Sequence, residues 1–300
     1  MATIKRNVLE EIATKVVSMM ETSGSNWTKP WAGMVSEHGA PRSAVGRRYT
    51  GINSMHLAFE MMDHGWDQPI FATFKQWQDK GAKVIKGSKG VPVVFFKKIE
   101  IEDKDRGDGS TKHIPMLKHF TVFNIDQVEG ADGLRVNPVD LPNDQAWMDE
   151  LSAEQVLEAS GAEIEHKAGD RAFFAPSFDR IVLPLKAQFK TADGYYGTAL
   201  HELTHWTGHE SRLNRQFGKR FGDQAYAFEE LVAEMGAAML CGATGVTSEP
   251  REDHAKYLSS WIKHIKDDPK KLMTACSMAE KAATYLLEKA GQIESINEAA

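Results

Sequence analysis

The chain has little cysteine, little proline and no long hydrophobic run, and each shortage excludes a class of protein. Of its 300 residues, two are cysteine and 11 are proline, which excludes a disulfide-rich scaffold and a collagen-like chain. Cys241 and Cys276 stand in Ala- and Met-rich surroundings, so we expect both to be reduced core thiols. With 42% hydrophobic and 26% charged residues, the composition is that of a folded protein with one large domain or two ordinary ones.

No segment predicts a membrane-spanning helix or a secretory signal. Residues 235–248 are an uncharged stretch of 14 residues, shorter than the roughly 20 apolar residues that a span needs. Charges at Lys5, Arg6 and Glu10 interrupt the apolar core that a signal peptide would require. We therefore predict a cytoplasmic protein without a membrane partner.

Positive charge is scarce overall, but it is concentrated early in the chain. The formal net charge is −6, yet residues 1–130 hold 18 Lys and Arg against 15 Asp and Glu, whereas residues 131–300 hold 18 against 27. Residues 42–99 alone contain ten basic and four acidic residues. A polyanionic partner would therefore bind the first part of the chain.

A Gly- and Pro-containing segment without periodicity predicts the boundary between two domains. We place an α+β domain at residues 1–130, a linker at 131–143 and a second domain at 144–300. In the first domain, residues around Trp27 and Trp31 predict an irregular aromatic segment, and Thr73 predicts the N-cap of a short helix. Periodicity predicts further helices at 8–20 and 53–63, strands at 83–86, 91–102 and 119–124, and a hairpin tip at 107–109.

The second domain is predicted to consist of short strands followed by helices. This order is expected of the catalytic core of a zinc peptidase. The predicted strands are 164–167, 171–175 and 180–183, and the predicted helices are 144–160, 196–207, 224–241, 252–266 and 269–290.

The strongest chemical signal is the pentapeptide His201-Glu202-Leu203-Thr204-His205. On a helix, side chains four residues apart lie on one face, so the two imidazoles would converge on one metal ion with Glu202 beside them. Burying two histidines and a glutamate without a metal would be costly. The sequence therefore predicts His201 and His205 as metal ligands and Glu202 as the catalytic general base.

A third ligand is expected from a downstream helix that contains Glu229, Glu230 and Glu234. We favour Glu230 as the ligand and Glu234 as the acceptor that orients a ligand histidine. Glu229 points about 100° away from Glu230 at helical pitch and stays a competitor for the ligand position. Two histidines, one glutamate and an open fourth position favour Zn²⁺, with Mn²⁺ as the alternative.

Three residues are candidates for stabilising an oxyanion, and the sequence does not rank them: Tyr226, His209 and Arg212. His209 is a weak candidate for a metal ligand, because on a continuous helix it would lie about 12 Å along the axis from His201. The strand at 180–183 is expected to pair with an extended polypeptide substrate.

A cluster of lysines near aromatic residues has two interpretations. It could form a cationic surface with stacking rings, as in proteins that bind single strands, or the rings could be core residues beside solvated lysines. The cluster contains Lys75, Lys80, Lys83, Lys86 and Lys89 with Phe71, Phe74 and Trp77.

The chain resembles ArdC-type antirestriction proteins in a combination of motifs that covers nearly its whole length. The first domain resembles theirs at residues 27–31, 47–54, 74–77, 81–90 and 122–127. The second resembles the fused zincin-like peptidase domain at 201–209, 212–215 and 229–234.

The resemblance implies a partner and a function for both domains. It implies that the first domain binds single-stranded DNA, and that the second has a gluzincin-like metallopeptidase fold whose polypeptide substrate is unknown. It also implies protection of incoming conjugative plasmid DNA from restriction, notably type I, by a protein able to travel with the strand to the recipient. The DNA contacts that we expect are Trp27, Trp31, Arg47, Arg48, Tyr49, Lys86 and Lys89.

Two alternative functions stay open at this point. In the first, the protein acts only by binding DNA, and its metal site is structural or inactive. In the second, it is a regulatory metalloprotease that cleaves a host or plasmid repressor.

Overall fold

A computed structural model describes residues 7–102, 111–135, 145–215, 217, 224–247 and 255–292. The predicted hairpin tip at 107–109 and residues 136–143 of the predicted linker lie outside this part. The helices of the first half are α1 (Val8–Ser23), α2 (Lys29–His38), α3 (Gly51–His64) and α4 (Phe74–Asp79). Its strands are β1 (Arg42–Ser43), β2 (Ile70–Thr73), β3 (Lys83–Val84), β4 (Val91–Glu102), β5 (Thr111–Asn124) and β6 (Val128–Glu129).

The main sheet of the first half has the strand order β1-β2-β5-β4. Its largest part is the antiparallel pair β4 and β5, in register from Val91 opposite Val122 to Glu102 opposite Thr111. Strand β5 begins at Thr111, eight residues before the predicted start at residue 119, which is therefore wrong. The early part of the strand contains Pro115, and proline is unfavourable inside most strands. That proline is tolerated since β2 pairs with β5 only at its C-terminal end, which leaves the backbone at Pro115 on an outer edge.

The tryptophans of the predicted aromatic segment belong to a helical region and not to an irregular one. Pro30 lies in the first turn of α2, where a proline is favoured because no backbone N–H is needed. Trp27 and Trp31 are 0% and 2% exposed and pack in the core. Their burial argues against the prediction that these rings stack on DNA bases at the protein surface.

The second half begins with a helix and a three-stranded sheet and continues as a helical bundle. Its helices are α5 (Gln145–Ser160), α6 (Ala192–Thr207), α7 (Gln224–Thr244), α8 (Ala255–Asp267) and α9 (Lys270–Lys289). Its strands are β7 (Glu163–Lys167), β8 (Phe173–Ala175) and β9 (Arg180–Pro184).

Strand β9 lies in the centre of its sheet, parallel to β7 and antiparallel to β8. Both of its edges are paired, so the prediction that this strand adds to an extended substrate is wrong. Strand β8 is at the edge of the sheet and packs beside α6.

One large hydrophobic cluster is built from both halves of the chain. Helix α1 packs on α8, α2 on α7, and α3 on α9, and one cluster joins Met20 and Trp31 to Leu231 and Trp261. The indole N–H of Trp261 donates a hydrogen bond of 2.7 Å to the carbonyl of Ala227. The boundary at 131–143 stays a prediction, but the segments on either side of it are packed together.

Two expectations about the class of the chain can be compared with the structure. Cys241 and Cys276 are buried free thiols, and burial raises the pKa of Cys241 to about 12. None of the helices in the described ranges is both long and apolar enough to cross a bilayer.

Candidate metal centre

Two helices from the second half build the centre. The Thr191 side chain caps α6 by accepting a hydrogen bond from the Gly194 N–H, so the helix begins four residues before its predicted start. Helix α7 crosses α6 very closely. A Cβ added at Gly236 of α7 would lie only 2.5 Å from the Cγ2 atom of Thr204 on α6. This close crossing brings the HExxH side chains of α6 up to the glutamates of α7.

Three side chains on these helices converge as metal ligands would. His201, His205 and Glu230 each offer one ligand atom, and these atoms lie within 4.8 Å of one another. The Nε2 atom of His201 is 3.5 Å from one carboxylate oxygen of Glu230, and the Nε2 atom of His205 is 3.6 Å from the other. The centroids of the two imidazole rings are 4.9 Å apart. Two imidazole nitrogens and one carboxylate form a ligand set that suits a divalent cation.

Each imidazole has a different carboxylate at its outer nitrogen. The Nδ1 atom of His205 is 3.3 Å from Glu229 Oε1, and the Nδ1 atom of His201 is 3.9 Å from Glu234 Oε2. Such carboxylates usually fix the ring orientation and tautomer of metal-binding histidines. Glu234 therefore lies where an orienting group belongs, and Glu229, the predicted competitor for the metal, lies on the outer side of His205.

Arg215 holds Glu229 in this outer position. Its guanidinium donates to both carboxylate oxygens of Glu229, with a shortest distance of 2.7 Å. It also donates to the Thr207 hydroxyl at 2.8 Å and the Thr204 carbonyl at 2.7 Å. Because this buried pair is fully hydrogen-bonded, Glu229 is not available to the converging atoms.

Thr28 holds Glu234 from the other half of the chain. The Thr28 hydroxyl is buried and donates a hydrogen bond of 3.0 Å to Glu234 Oε1 across 206 residues of sequence. Sequence reasoning did not identify Thr28 or Arg215 as part of the site. Both lie in stretches that carry the family resemblance, 27–31 and 212–215, but nothing in either local sequence indicates the contact.

The charges of the cluster are strongly coupled. Burial alone would lower the pKa of His205, but Glu229 and Glu230 outweigh it and raise that pKa to about 10. Burial alone would raise the pKa of Glu230, but hydrogen bonds from His201 and His205 hold it well below its usual range. In the absence of a cation, the cluster therefore retains protons on imidazole that a metal would displace.

Glu202 and Tyr226 lie next to this cluster. Glu202 is 3% exposed, and its charge acts on His205. Tyr226 is half-buried, and its hydroxyl interacts with Glu230 and Tyr257, which with burial raises its pKa. Of the three oxyanion candidates, Tyr226 is the one for which the structure gives a contact with a member of the cluster.

The other two oxyanion candidates are engaged elsewhere. The Arg212 guanidinium forms an ion pair with Asp179, donates to the Trp206 carbonyl at 2.7 Å and stacks over the Trp206 ring at 3.7 Å. His209 lies in the turn after α6, with its Nδ1 atom 2.8 Å from the Ser211 hydroxyl. Neither residue belongs to the three converging ligand groups.

The remaining predicted DNA contacts lie mostly at the surface. Arg47, Arg48, Lys86 and Lys89 are exposed, and Tyr49 is half-buried. Three aromatic rings on the same half are exposed: Phe74, Phe95 and Phe120, at 56%, 44% and 47%. Phe74 belongs to the lysine cluster noted in the sequence, whereas sequence reasoning missed Phe95 and Phe120.

Comparison with known proteins defines first the class and then the family. Residues 151–278 match the model of a zincin-like metallopeptidase domain, the class that the HExxH helix and the facing glutamate define. Residues 6–123 match the N-terminal domain of anti-restriction factor ArdC.

Solved structures are similar over almost the whole chain. The crystal structures of antirestriction protein ArdC from plasmid R388 are 34% identical and cover 96% of this chain and 100% of their own. The TM-scores are 0.77 for the metal-free form and 0.78 for the Mn(II)-bound form. The chain therefore belongs to the ArdC antirestriction family, and the predicted fold class, α+β with two parts, is confirmed.

Curated relatives place the same two parts in other contexts. Two proteins named DNA primase TraC, from Escherichia coli, are 39% and 37% identical over 94% and 96% of this chain. The chain spans only 20% and 28% of their length. The uncharacterized protein y4eC of Sinorhizobium fredii is 32% identical over 93% of this chain and 91% of its own.

Proposed function

We propose that the chain binds single-stranded DNA with its first half, protects incoming conjugative DNA from type I restriction, and carries an active zinc peptidase centre in its second half. It would act in the cytoplasm and could accompany the strand into the recipient. The observation that carries the enzymatic part is the convergence of His201, His205 and Glu230 beside a buried Glu202.

The metal would be held by three side chains and oriented by two more. His201, His205 and Glu230 would be the ligands, while Glu234 and Glu229 would accept hydrogen bonds from the Nδ1 atoms. This donor set favours Zn²⁺, and Mn²⁺ is the alternative because a relative is known in an Mn(II)-bound form. When bound, such a cation would polarise a scissile carbonyl and acidify a water molecule.

The chain's own residues would supply the proton transfers. Glu202 would take a proton from the attacking water and pass it to the leaving amine. Tyr226, which is half-buried beside Glu230, would donate a hydrogen bond to the developing oxyanion. An extended polypeptide would pair with the free edge of β8, which lies next to the HExxH helix.

DNA would be bound by charge and by stacking. Lys86 and Lys89 supply exposed positive charge, and the rings of Phe95 and Phe120 form an exposed edge-to-face pair, 5.4 Å apart, beside Lys118. Exposed rings among basic side chains favour single strands, whose bases are free to stack. These phenylalanines replace Trp27 and Trp31 as the proposed stacking residues.

The DNA part is tested by titration with single- and double-stranded oligonucleotides at several salt concentrations. We expect tighter binding of the single strand and affinity that falls as salt rises. Replacing both Phe95 and Phe120 by Ala should weaken single-strand binding by about tenfold or more. If the protein binds neither the single-stranded nor the double-stranded oligonucleotide, this part of the proposal is refuted.

The enzymatic part is tested by Glu202→Gln, which removes the base and keeps the side chain's size. We expect hydrolysis of a peptide library by the metal-loaded protein to fall by about 100-fold or more, with metal content and melting temperature unchanged. Glu210→Gln is the control, because that carboxylate is exposed just after α6. Equal activity of the two variants would exclude Glu202 as the base.

A purely structural metal centre is the second candidate function. The contact between Thr28 and Glu234 favours it, because the centre thereby joins the two halves of the chain. The Glu202→Gln variant separates the candidates in a conjugation assay with a restricting recipient. Full protection by this variant would mean that the metal stabilises the protein and that hydrolysis is not needed for antirestriction.

A further inference from the structure

A cavity of about 360 Å³ lies between the two halves of the chain. Trp31, Arg42 and Arg48 line it from the first half, and Gly242 and Glu280 line it from the second. Its volume lies within the range of roughly 300–1,000 Å³ that is usual for small-molecule sites. None of the three converging metal-ligand residues contributes to its described walls, so it is a separate site.

Two arginines face this cavity together. Arg42 and Arg48 are opposite each other in an antiparallel β-bridge, so their side chains leave the backbone on the same side. Burial and the charge of Arg48 both lower the pKa of Arg42. Gly39 leaves room for the Arg42 guanidinium, since a Cβ at that position would lie 3.1 Å from Nη2.

Polar hydrogens in the walls of the cavity lack acceptors. Arg42 Nε and Trp31 Nε1 are both buried and have no hydrogen-bond partner in the part of the chain that the structure describes. An unsatisfied buried donor is costly and rare in folded proteins. Two such donors on residues that line one cavity, one of them on a cationic group, would be satisfied by an anionic acceptor.

The balance of charge in the cavity favours an anion. Glu280 is the carboxylate among the described lining residues. Burial raises its pKa, although a backbone hydrogen bond from Gly51 and the charge of Arg48 oppose this. The described lining therefore carries two guanidiniums against one carboxylate, which leaves an excess of positive charge.

We propose that this cavity, the arginine pocket, binds one phosphate group of a nucleotide between Arg42 and Arg48. The planar guanidinium fork matches phosphate oxygens and donates two hydrogen bonds at once. The phosphate could belong to a DNA strand or to a free mononucleotide. The first source rests on the DNA binding proposed above, whereas the second does not.

The experiment measures phosphate binding by the full chain with three probes. Isothermal titration uses thymidine 5′-monophosphate and inorganic phosphate, and fluorescence anisotropy uses a labelled single-stranded oligonucleotide. Arg42→Gln and Arg48→Gln should each weaken binding of at least one probe by about tenfold or more, because each removes charged hydrogen bonds. Arg42→Lys, which keeps the charge but loses the fork, should be intermediate.

Lys281→Gln is the matched control, because Lys281 is exposed beside Glu280 but does not line the cavity and is not an expected DNA contact. It should change affinity by about twofold or less. Arg48 is exposed, so the Arg48→Gln variant should fold. If the Arg42→Gln variant does not fold, Arg48→Gln alone tests the pocket.

The outcomes separate this site from the proposed DNA binding. Binding of the mononucleotide without binding of the oligonucleotide supports the pocket and refutes the DNA function. If Arg42→Gln and Arg48→Gln weaken the binding of no probe more than Lys281→Gln does, the pocket is overturned, and oligonucleotide binding that persists leaves the DNA function standing. Failure of all three probes to bind the unaltered protein also overturns it.

Discussion

At the scale of single residues, the metal centre is asymmetric in how its histidines are oriented. The Nδ1 atom of His205 faces Glu229, which Arg215 holds from the same half of the chain. The Nδ1 atom of His201 faces Glu234, which a threonine holds from the other half. The two ligands therefore depend on different parts of the fold.

Thr28 offers a direct test of this dependence. Thr28→Val keeps the shape of the side chain and removes the hydroxyl, so the carboxylate of Glu234 loses a hydrogen bond. We expect the affinity for Mn²⁺, measured by electron paramagnetic resonance, to fall by about tenfold. Thr28→Ser should restore it, and equal affinities of the Val and Ser variants would show that the hydroxyl does not act on the centre.

His56 is predicted to make the stability of the protein depend on pH. Burial lowers its pKa to about 4, against the opposing charges of Glu60 and Glu11. The unfolded chain, with a histidine pKa near 6.5, then binds the proton more readily than the folded one. Stability is complete above about pH 6.5 and is lost as pH falls towards 4, by roughly 3 kcal/mol in total.

Urea unfolding at pH 7 and pH 4.5 would measure this effect. His56→Gln has no titrating group at this position, so its loss of stability between the two pH values should be smaller than that of the unaltered protein. An identical loss in both proteins would show that other groups cause the acid sensitivity.

At the scale of elements, the crossing of α6 and α7 positions the centre. Gly236→Ala would force its new methyl group against Thr204 and push the helices apart. We expect a loss of about 1–3 kcal/mol in the free energy of unfolding and weaker metal binding. Gly197→Ala on α6 is the control, because a Cβ there has open space and should stabilise the helix by about 0.5–1 kcal/mol.

The helices were the most predictable elements, and pairing over long distances was the least. The apolar spacing of α1 and α7 identifies them from the sequence, since it depends on neighbours within the element. The central place of β9 depends on the two strands that pair with its edges. Its local sequence is typical of any short strand, so the sequence could not exclude a free edge. Pro30 was misleading because the same residue either breaks a helix or begins one.

The candidate site was predictable to the same limited extent. The spacing of His201 and His205 predicts their convergence, since both lie on one helix. The choice between Glu229 and Glu230 as the ligand depends on the rotation of α7 against α6, which the sequence does not specify. The contact from Thr28 required the complete tertiary structure.

At the scale of the whole molecule, the shared core predicts that the halves unfold together. Helix α1 packs on α8. A single cluster of packed apolar side chains includes Val8 in α1 and Ala279 in α9. Calorimetry of the metal-free protein should show one transition, and added Zn²⁺ should shift all of it to higher temperature, because the cation binds the folded state. Two transitions, of which only one responds to metal, would contradict this coupling.

The continuity of that core also has a consequence for inheritance. A recombination event that separated the halves would leave each with an apolar face open to water, and with it the hazards of aggregation and degradation. The matched stretches in both TraC relatives cover more than nine-tenths of this chain, so they retain the halves side by side. Selection should therefore keep the two halves together in one gene.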